Sequence, residues 1–257
     1  KHDPDPPEQG VFSFLPTTLT RVSPFFPLSK KDKNRTLPPE GLIWENSWGI
    51  LTMRGHKLSI YDESLLLACL VLMTKYRKES FGTTRYELCK VMGVAPGTNT
   101  YKAIWESIEY LTSFSMSLKV WKPGTGKQKK RAIRMVNTIL TGAMEEEDKD
   151  KITITINPYF LKMYAKNLIT GINLKLRSNL KGDITKALYR FLRSQKGTTY
   201  TCHVLTLCSA INLDVTRPLK TLKNQIKTSL TELKKNHYLS KSMVNRYDVV
   251  KIWKYTK

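Results

Sequence analysis

One segment near the C-terminal end, TRPLKTLKNQIKTSLTELKK (residues 216–235), constrains the fold more than any other part of the chain. On a helical wheel its aliphatic residues fall in a band about 80° wide. These residues are Leu219, Leu222, Ile226, Leu230 and Leu233. Four lysines lie in a neighbouring band, and Glu232 is the only acid, although surface helices usually alternate acids with bases. The pattern predicts a helix that has one side for a hydrophobic core and another side for a polyanion. The alternative is an ordinary solvated surface helix.

The start of this helix is also predicted by its residue types. Thr216 is a suitable N-cap, because its hydroxyl can accept a hydrogen bond from the first turn. Pro218 would then lie in that turn, where a missing N–H has no consequence.

The charge of the chain is large and unevenly distributed. The formal net charge is +22 over 257 residues, and residues 166–257 contain 19 Lys and Arg against 4 Asp and Glu. Such a basic region favours a polyanionic partner: nucleic acid, an anionic membrane surface or a heparin-like polymer. The apolar run LLLACLVLM (residues 65–73) is too short to cross a bilayer, so no membrane insertion is expected.

The cysteines and the N-terminal end give weaker indications. Cys69, Cys89, Cys202 and Cys208 have neither disulfide-framework nor zinc-site spacing, which favours free thiols in a reducing cytoplasm. No signal peptide is visible. Because the chain begins at Lys1 rather than Met, we expect it to be part of a longer protein.

The order of predicted elements indicates an α+β fold made of two tandem winged helix-turn-helix domains. Residues 1–40 are rich in proline and predict an extended N-terminal arm. Residues 41–165 read as three helices followed by a hairpin, in which MSLKVW and RAIRMVNTIL flank the basic tip KPGTGKQKKR. Residues 166–257 repeat that order and are predicted to be the main DNA reader.

In a helix-turn-helix protein, the helix before the wing enters the major groove with its N-terminal residues at the base edges. This geometry assigns base reading to the start of the 216–235 helix and phosphate binding to its remaining lysines and to the second hairpin. The predicted base-reading residues are Arg217, Lys220, Thr221, Asn224 and Thr228. The predicted phosphate-binding residues are Lys223, Lys227, Lys234, Lys241, Arg246, Lys251 and Lys254.

The equivalent helix of the first domain has a weaker pattern, because Glu106 and Glu109 offset Lys102. Backbone contacts are expected from Asn99, Thr100, Tyr101 and Lys102, with pure packing as the alternative. Lys127, Lys129, Lys130 and Arg131, at the tip of the first hairpin, are expected to contact phosphates or the minor groove. The alternative for this tip is a solvated turn.

Enzymatic interpretations find little support in the motifs. The segment GTGK (residues 124–127) lacks the upstream glycine of a phosphate-binding loop, and Gln128 stands where Ser or Thr is required. In CHVLTLC (residues 202–208), two cysteines and one histidine are more typical of packing than of a metal site. No His-x-His motif is present. We therefore expect no catalytic residue, metal or cofactor.

Three stretches, YELCKVMGV, NTYKAIWESIEYLTSFSMSLKV and LYRFLRSQKGTTYTCHVLTLCSAINL, resemble the TrfA-like replication initiators of broad-host-range plasmids. The resemblance runs from about FLPTTLTRVSPFF to the C-terminal end. It implies two winged-helix domains that bind direct repeats, called iterons, in double-stranded origin DNA, and a monomer–dimer equilibrium. It further implies opening of an AT-rich segment, contact with the single strands, and recruitment of the host helicase with DnaA. The runner-up is a winged-helix transcriptional regulator that binds a promoter operator.

Overall fold

The computed structural model describes residues 11–28, 35–46, 49–121, 131–146, 151–166 and 169–255. Its helices are α1 (Thr17–Arg21), α2 (Ile60–Tyr76), α3 (Arg85–Met92), α4 (Thr98–Ser113), α5 (Pro158–Lys166), α6 (Leu174–Asn179), α7 (Asp183–Arg193), α8 (Val204–Ala210) and α9 (Leu219–Lys235). Its strands are β1 (Phe12–Pro16), β2 (Phe25–Phe26), β3 (Leu42–Asn46), β4 (Gly49–Arg54), β5 (Leu58–Ser59), β6 (Ser80–Thr83), β7 (Ser115–Trp121), β8 (Arg131–Asn137), β9 (Leu140–Glu146), β10 (Lys151–Ile156), β11 (Ile169–Asn173), β12 (Thr199–His203), β13 (Leu239–Val244) and β14 (Val249–Lys254). The predicted α+β class is confirmed.

Helix α2 is the central helix of the first unit. Its apolar residues occur all round the helix, which is typical of a helix surrounded by protein, and ten of its residues are buried. Ser59 forms a capping box with Asp62: the Ser59 hydroxyl accepts from the Asp62 N–H at 3.2 Å, and the Asp62 carboxylate accepts from the Ser59 N–H at 2.5 Å. Asp62 is the third residue of the helix.

Helix α3 begins and ends where its sequence indicates. Thr84 caps it by accepting from the Glu87 N–H at 3.0 Å. Gly93 ends it with a φ of 70°, a left-handed conformation that favours glycine. A β-carbon at this position would lie 2.5 Å from the Cβ of Ser178, so the close contact with α6 also requires glycine.

Strand pairing shows that the two halves of the chain share one topology. In the first unit β6 lies between α2 and α3, and the sheet order is β6-β10-β9. In the second unit β12 lies between α7 and α8, and the sheet order is β12-β14-β13. Each unit therefore consists of a helix, a short strand, two further helices and a hairpin whose second strand pairs with the short strand. This is the tandem winged-helix architecture that the sequence predicts.

The wing of the first unit is not the hairpin that the sequence suggested. Strands β7 and β8 belong to a separate four-stranded sheet of order β3-β4-β7-β8. The wing is β9–β10, because β10 pairs with β6 through Ile154 opposite Phe81. Alternation in β10 places Ile152, Ile154 and Ile156 in the core, each 0% exposed. The hairpin with the basic tip is therefore not the wing of this unit, and the phosphate contacts expected at that tip stay a prediction.

The expected extended arm is also corrected for residues 11–28. Strand β1 pairs with β11, α1 lies against α7, and β2 runs parallel to β5. Leu15, Leu19 and Phe25 are each at most 1% exposed. The prolines lie at the borders of these short elements, where a missing N–H is tolerated. The segment 11–28 therefore links both winged helices. Residues 1–10 and 29–34 are outside the described residues. The domain boundary at residue 40 stays a prediction.

The two units meet at a buried cluster of charges. Glu63 on α2 is 0% exposed and lies 2.6 Å from the Arg190 guanidinium of α7 and 3.1 Å from that of Arg177 on α6. Around it, a continuous apolar core runs from Leu15 to Ile252. The units therefore pack as one body with an ion-paired centre.

Candidate nucleic-acid interface

Helix α9 packs one side against α7, α8 and β13. Leu222, Ile226, Leu230 and Leu233 are buried, as predicted, and Ser229 joins them. Leu219 was predicted to be in the core but is 37% exposed, because it is the first helical residue and lies beyond the neighbouring helices. The leucine seam thus fixes which side of α9 faces outward.

The outward side of α9 is polar and basic. Its exposed residues include Lys220, Thr221, Asn224, Lys227, Thr228, Thr231 and Lys234. Glu232 does not share this side: its carboxylate accepts hydrogen bonds from the Lys181 N–H at 2.5 Å and the Thr185 hydroxyl at 2.6 Å. Over the described length of α9, no exposed residue is acidic. We call this surface the α9 basic face.

The start of α9 differs from the sequence expectation. Pro218 precedes the first helical residue, and no side chain caps the helix. Thr216 instead donates its hydroxyl and its N–H to Asp214, at 2.6 and 3.0 Å. These hydrogen bonds hold the pKa of Asp214 below its usual value. Arg217 lies 3.6 Å from the same carboxylate, with 36% of its side chain exposed, and such a solvent-exposed pair is easily exchanged for another anion.

The wing of the second unit lies next to the α9 basic face. The amino group of Lys223 contacts the Asp248 carboxylate at 2.5 Å, which ties the β13–β14 turn to the N-terminal half of α9. At this turn Tyr247 is 65% exposed, and the Arg246 guanidinium lies 4.7 Å from its ring centroid. Arg246 is among the residues predicted to bind phosphates, whereas Tyr247 is not among the predicted site residues. The signal was an aromatic residue in the short turn NRYD, beside a cation.

Four lysines predicted to bind phosphates separate into two pairs in the structure. Lys241 and Lys251 are exposed on the wing, the first 5.3 Å above the Trp253 ring. Lys223 is engaged by Asp248, as described above. Lys254 donates to the carbonyls of Leu192 at 3.1 Å and Gln195 at 2.6 Å, and burial lowers its pKa.

Because the Lys254 ammonium satisfies carbonyls at the C-terminal end of α7, its geometry corresponds to a helix cap inside the domain. We therefore withdraw the phosphate assignment for Lys254. For Lys223 we replace the phosphate assignment with a structural role, which is to hold the β13–β14 turn against α9 through Asp248.

The first unit presents a weaker basic surface. Helix α4 starts at Thr98 after Gly97, without a side-chain cap. Asn99 and Lys102 are exposed, whereas Thr100 and Tyr101 are half-buried. Glu106 and Glu109 are also exposed on α4. These acids leave the α4 face close to neutral, in contrast to the α9 basic face.

The other predicted contacts of the first unit lie at the tip of the β7–β8 hairpin. Lys127, Lys129 and Lys130 are outside the described residues, as is the side chain of Arg131. On the wing itself, Glu145 forms an ion pair with Arg85. The described ends of the first wing thus present one paired acid, Glu145, and the exposed Lys151, whereas the second wing exposes Lys241, Arg246 and Lys251.

The segment that sequence analysis considered for metal binding has a structural role. His203 caps α8, and its Nδ1 accepts from the Leu205 N–H at 3.2 Å. Burial raises the pKa of the Cys208 thiol to about 12 and that of Cys202 to about 11. Within the described ranges no group of three potential metal ligands occurs, and no described helix is long and apolar enough to span a bilayer.

A family model described as "Initiator Replication protein, WH1" matches residues 50–193, which cover the first winged helix and continue through α7 of the second. No curated protein gives a significant match to the sequence.

Solved structures share the fold at low sequence identity. A structure of domains 2 and 3 of RctB has a TM-score of 0.64 at 12% identity and covers 95% of this chain and 99% of that one. The Pi initiator protein in complex with iteron DNA has a TM-score of 0.52 at 13% identity, with coverage of 77% and 92%. These likenesses confirm the tandem winged-helix architecture.

Proposed function

The chain belongs to the Initiator Replication protein family, and we propose that it starts plasmid replication by binding direct repeats in double-stranded origin DNA through the α9 basic face. The observation that carries this proposal is the acid-free exposed side of α9, beside the turn of its own wing. A helix in this position of a winged helix is the element that enters the major groove. The iteron DNA bound by the Pi initiator, a structure of the same fold, supports the choice of repeats as the target.

We assign base reading to the first half of α9. Lys220, Thr221, Asn224 and Thr228 are exposed at spacings of three or four residues, so they share one stripe. Asn pairs with adenine, and Arg217 at the start of the helix pairs with guanine, by bidentate hydrogen bonds in the major groove. Lys227 and Lys234 extend the stripe toward the flanking phosphates.

We assign backbone contacts to the wing and to the first unit. Arg246, Lys241 and Lys251 place cations on the second wing, where they can meet phosphates beside the groove. In the first unit Asn99 and Lys102 are exposed near the start of α4, whereas Thr100 and Tyr101 contribute less surface. The acids of α4 make this contact weaker than that of α9.

Later steps are proposed from family membership. They are the opening of an AT-rich segment, contact with its single strands, recruitment of the host helicase with DnaA, and a monomer–dimer equilibrium. The support for them is the initiator family and the resemblance to TrfA-like proteins, and no individual described residue is assigned to them.

The test is a fluorescence-anisotropy titration with tandem repeats from the plasmid origin and with a scrambled duplex of equal length. Asn224→Ala and Arg217→Ala should each weaken binding to the repeats by about 1–3 kcal/mol and leave the scrambled duplex nearly unaffected. Asn179→Ala, which removes an exposed amide from α6, is the matched control and should leave both affinities unchanged. Equal loss on both duplexes would show that these residues do not read bases, and preference for a promoter palindrome would favour a regulator.

A further inference from the structure

The three-stranded sheet of the second unit, of order β12-β14-β13, has one face that packs on the helices and one that does not. On the packed face, Val250 and Ile252 of β14 are 0% and 1% exposed. The ring centroid of Tyr200 on β12 lies 5.5 Å from that of Phe191 on α7. Because side chains alternate along a strand, the residues between these point away from the helices. We call the opposite surface the outer wing face, and it is defined by Thr199, Thr201, Lys241, Met243, Lys251 and Trp253.

The register of the three strands arranges the outer wing face in two rows. In one row, Trp253 of β14 lies opposite Lys241 of β13. In the other row, Lys251 of β14 lies opposite Met243 of β13. Strand β12 adds a threonine to each row. The rows are two residues apart along β14, which is a distance of roughly 7 Å. Apolar and cationic side chains therefore alternate within a small area.

The outer wing face is open to solvent, and its strands contain no acid. Both lysines and both threonines are exposed, Met243 is 42% exposed, and Trp253 is half-buried. No residue of the described strands β12, β13 and β14 is acidic. Asp248, in the turn between β13 and β14, is engaged by Lys223 at 2.5 Å. The charge of this face is therefore positive, which favours a polyanion.

The equivalent sheet of the first unit, of order β6-β10-β9, shows what the architecture alone requires. Thr153 and Thr155 hold the corresponding outward positions of β10. Their partners on β9 and β6 are Met144, Gly142, Gly82 and Ser80. These rows contain neither an aromatic residue nor a cation, so a winged-helix sheet forms without either on its outward face. The architecture therefore does not explain Trp253 and the two lysines of the outer wing face.

We propose that the outer wing face binds single-stranded DNA, with a base stacked on Trp253 and phosphates at Lys241 and Lys251. Aromatic rings stack on bases of any identity while cations beside them hold the backbone. The Lys241 ammonium group lies 5.3 Å from the Trp253 ring centroid and would move from the ring to a phosphate as a base stacks. Inside a duplex each base is covered by its neighbours, so this ring selects a single strand. The inference rests on the proposed function for the source of the strand, which is the opened AT-rich segment.

The experiment titrates the whole chain with an oligothymidylate of about 12 nucleotides and follows anisotropy and tryptophan fluorescence. Trp253→Leu should weaken binding of this strand about 5- to 100-fold and leave the affinity for the repeat duplex unchanged. Trp253→Phe keeps an aromatic ring, so it should retain most of the affinity but lose most of the fluorescence quenching that the strand causes in the unmodified chain. Tyr159→Leu is the matched control and should change neither affinity. Its ring on α5 is 63% exposed and also has a lysine nearby, Lys162, at 4.4 Å.

Three results would overturn the proposal: equal quenching in the unmodified chain and in Trp253→Phe, unchanged strand affinity in Trp253→Leu, or an equal loss on strand and duplex. If Trp253→Leu does not fold, the quenching comparison with Trp253→Phe decides alone. Repeat binding without any quenching by the oligothymidylate would reject the outer wing face and leave the proposed function intact. Strand binding that depends on Trp253, without preference for repeats over the scrambled duplex, would reject the proposed function alone.

Discussion

The buried ion cluster at the junction gives a prediction whose size follows from the structure. Glu63 is 0% exposed and serves both Arg190, also 0% exposed, and Arg177, 3% exposed. Glu63→Gln keeps the shape of the side chain but removes its charge, which leaves two buried guanidinium groups without their nearest anion. Breaking a buried pair in this way costs about 3–5 kcal/mol. For a chain of this length the corresponding decrease in Tm is about 6–20 °C.

The assay is equilibrium urea unfolding of the whole chain, with the free energy of unfolding obtained from the midpoint and the slope. Glu106→Gln, an exposed glutamate on α4, is the matched control and should change stability by no more than about 0.5 kcal/mol. The double variant Glu63→Gln with Arg190→Met should be more stable than the sum of the single losses predicts, because the uncompensated Arg190 charge is removed together with its partner. A loss below about 1 kcal/mol for Glu63→Gln, or simple additivity in the double variant, would refute this reasoning.

Two further predictions separate residues that bind DNA from residues that hold the fold. Lys227→Ala should weaken binding to repeats and scrambled duplex alike and lower the salt slope by about one unit, measured by anisotropy at several salt concentrations; an unchanged slope would place Lys227 away from the DNA. Lys254→Met should leave this slope unchanged but lower the free energy of unfolding in urea by about 1–3 kcal/mol, because two hydrogen bonds to the end of α7 are lost. Unchanged stability with weakened DNA binding would restore its original assignment. Lys196→Ala, an exposed lysine after α7, is the control for both measurements.

The parts of the fold that could be predicted from the sequence are those that depend on neighbouring residues. The leucine seam of α9 and the cap of α3 by Thr84 both follow from local spacing. The wing of the first unit could not be identified in this way, because two hairpins follow α4 and only the pairing of β6 with the distant β10 distinguishes them. Likewise, the sequence KIWKYTK does not show that Lys254 points at the end of α7. The wing of the first unit and the role of Lys254 both depend on contacts between residues far apart in the sequence, which local spacing does not reveal.

The difference between the two units bears on how the chain would use its two winged helices. The α9 face has no exposed acid along its described length, whereas α4 exposes Glu106 and Glu109 and the first wing pairs Glu145 with Arg85. Phosphate attraction scales with the cations that reach the backbone, so the second unit should supply most of the affinity. The first unit is nevertheless held rigidly to the second by the buried ion cluster and by the segment of residues 11–28. A rigid junction fixes the angle between α4 and α9. Once α9 is bound, the contact of α4 with DNA is then made at no further cost in conformational entropy. Even a weak contact of α4 can therefore discriminate among DNA sites by their geometry.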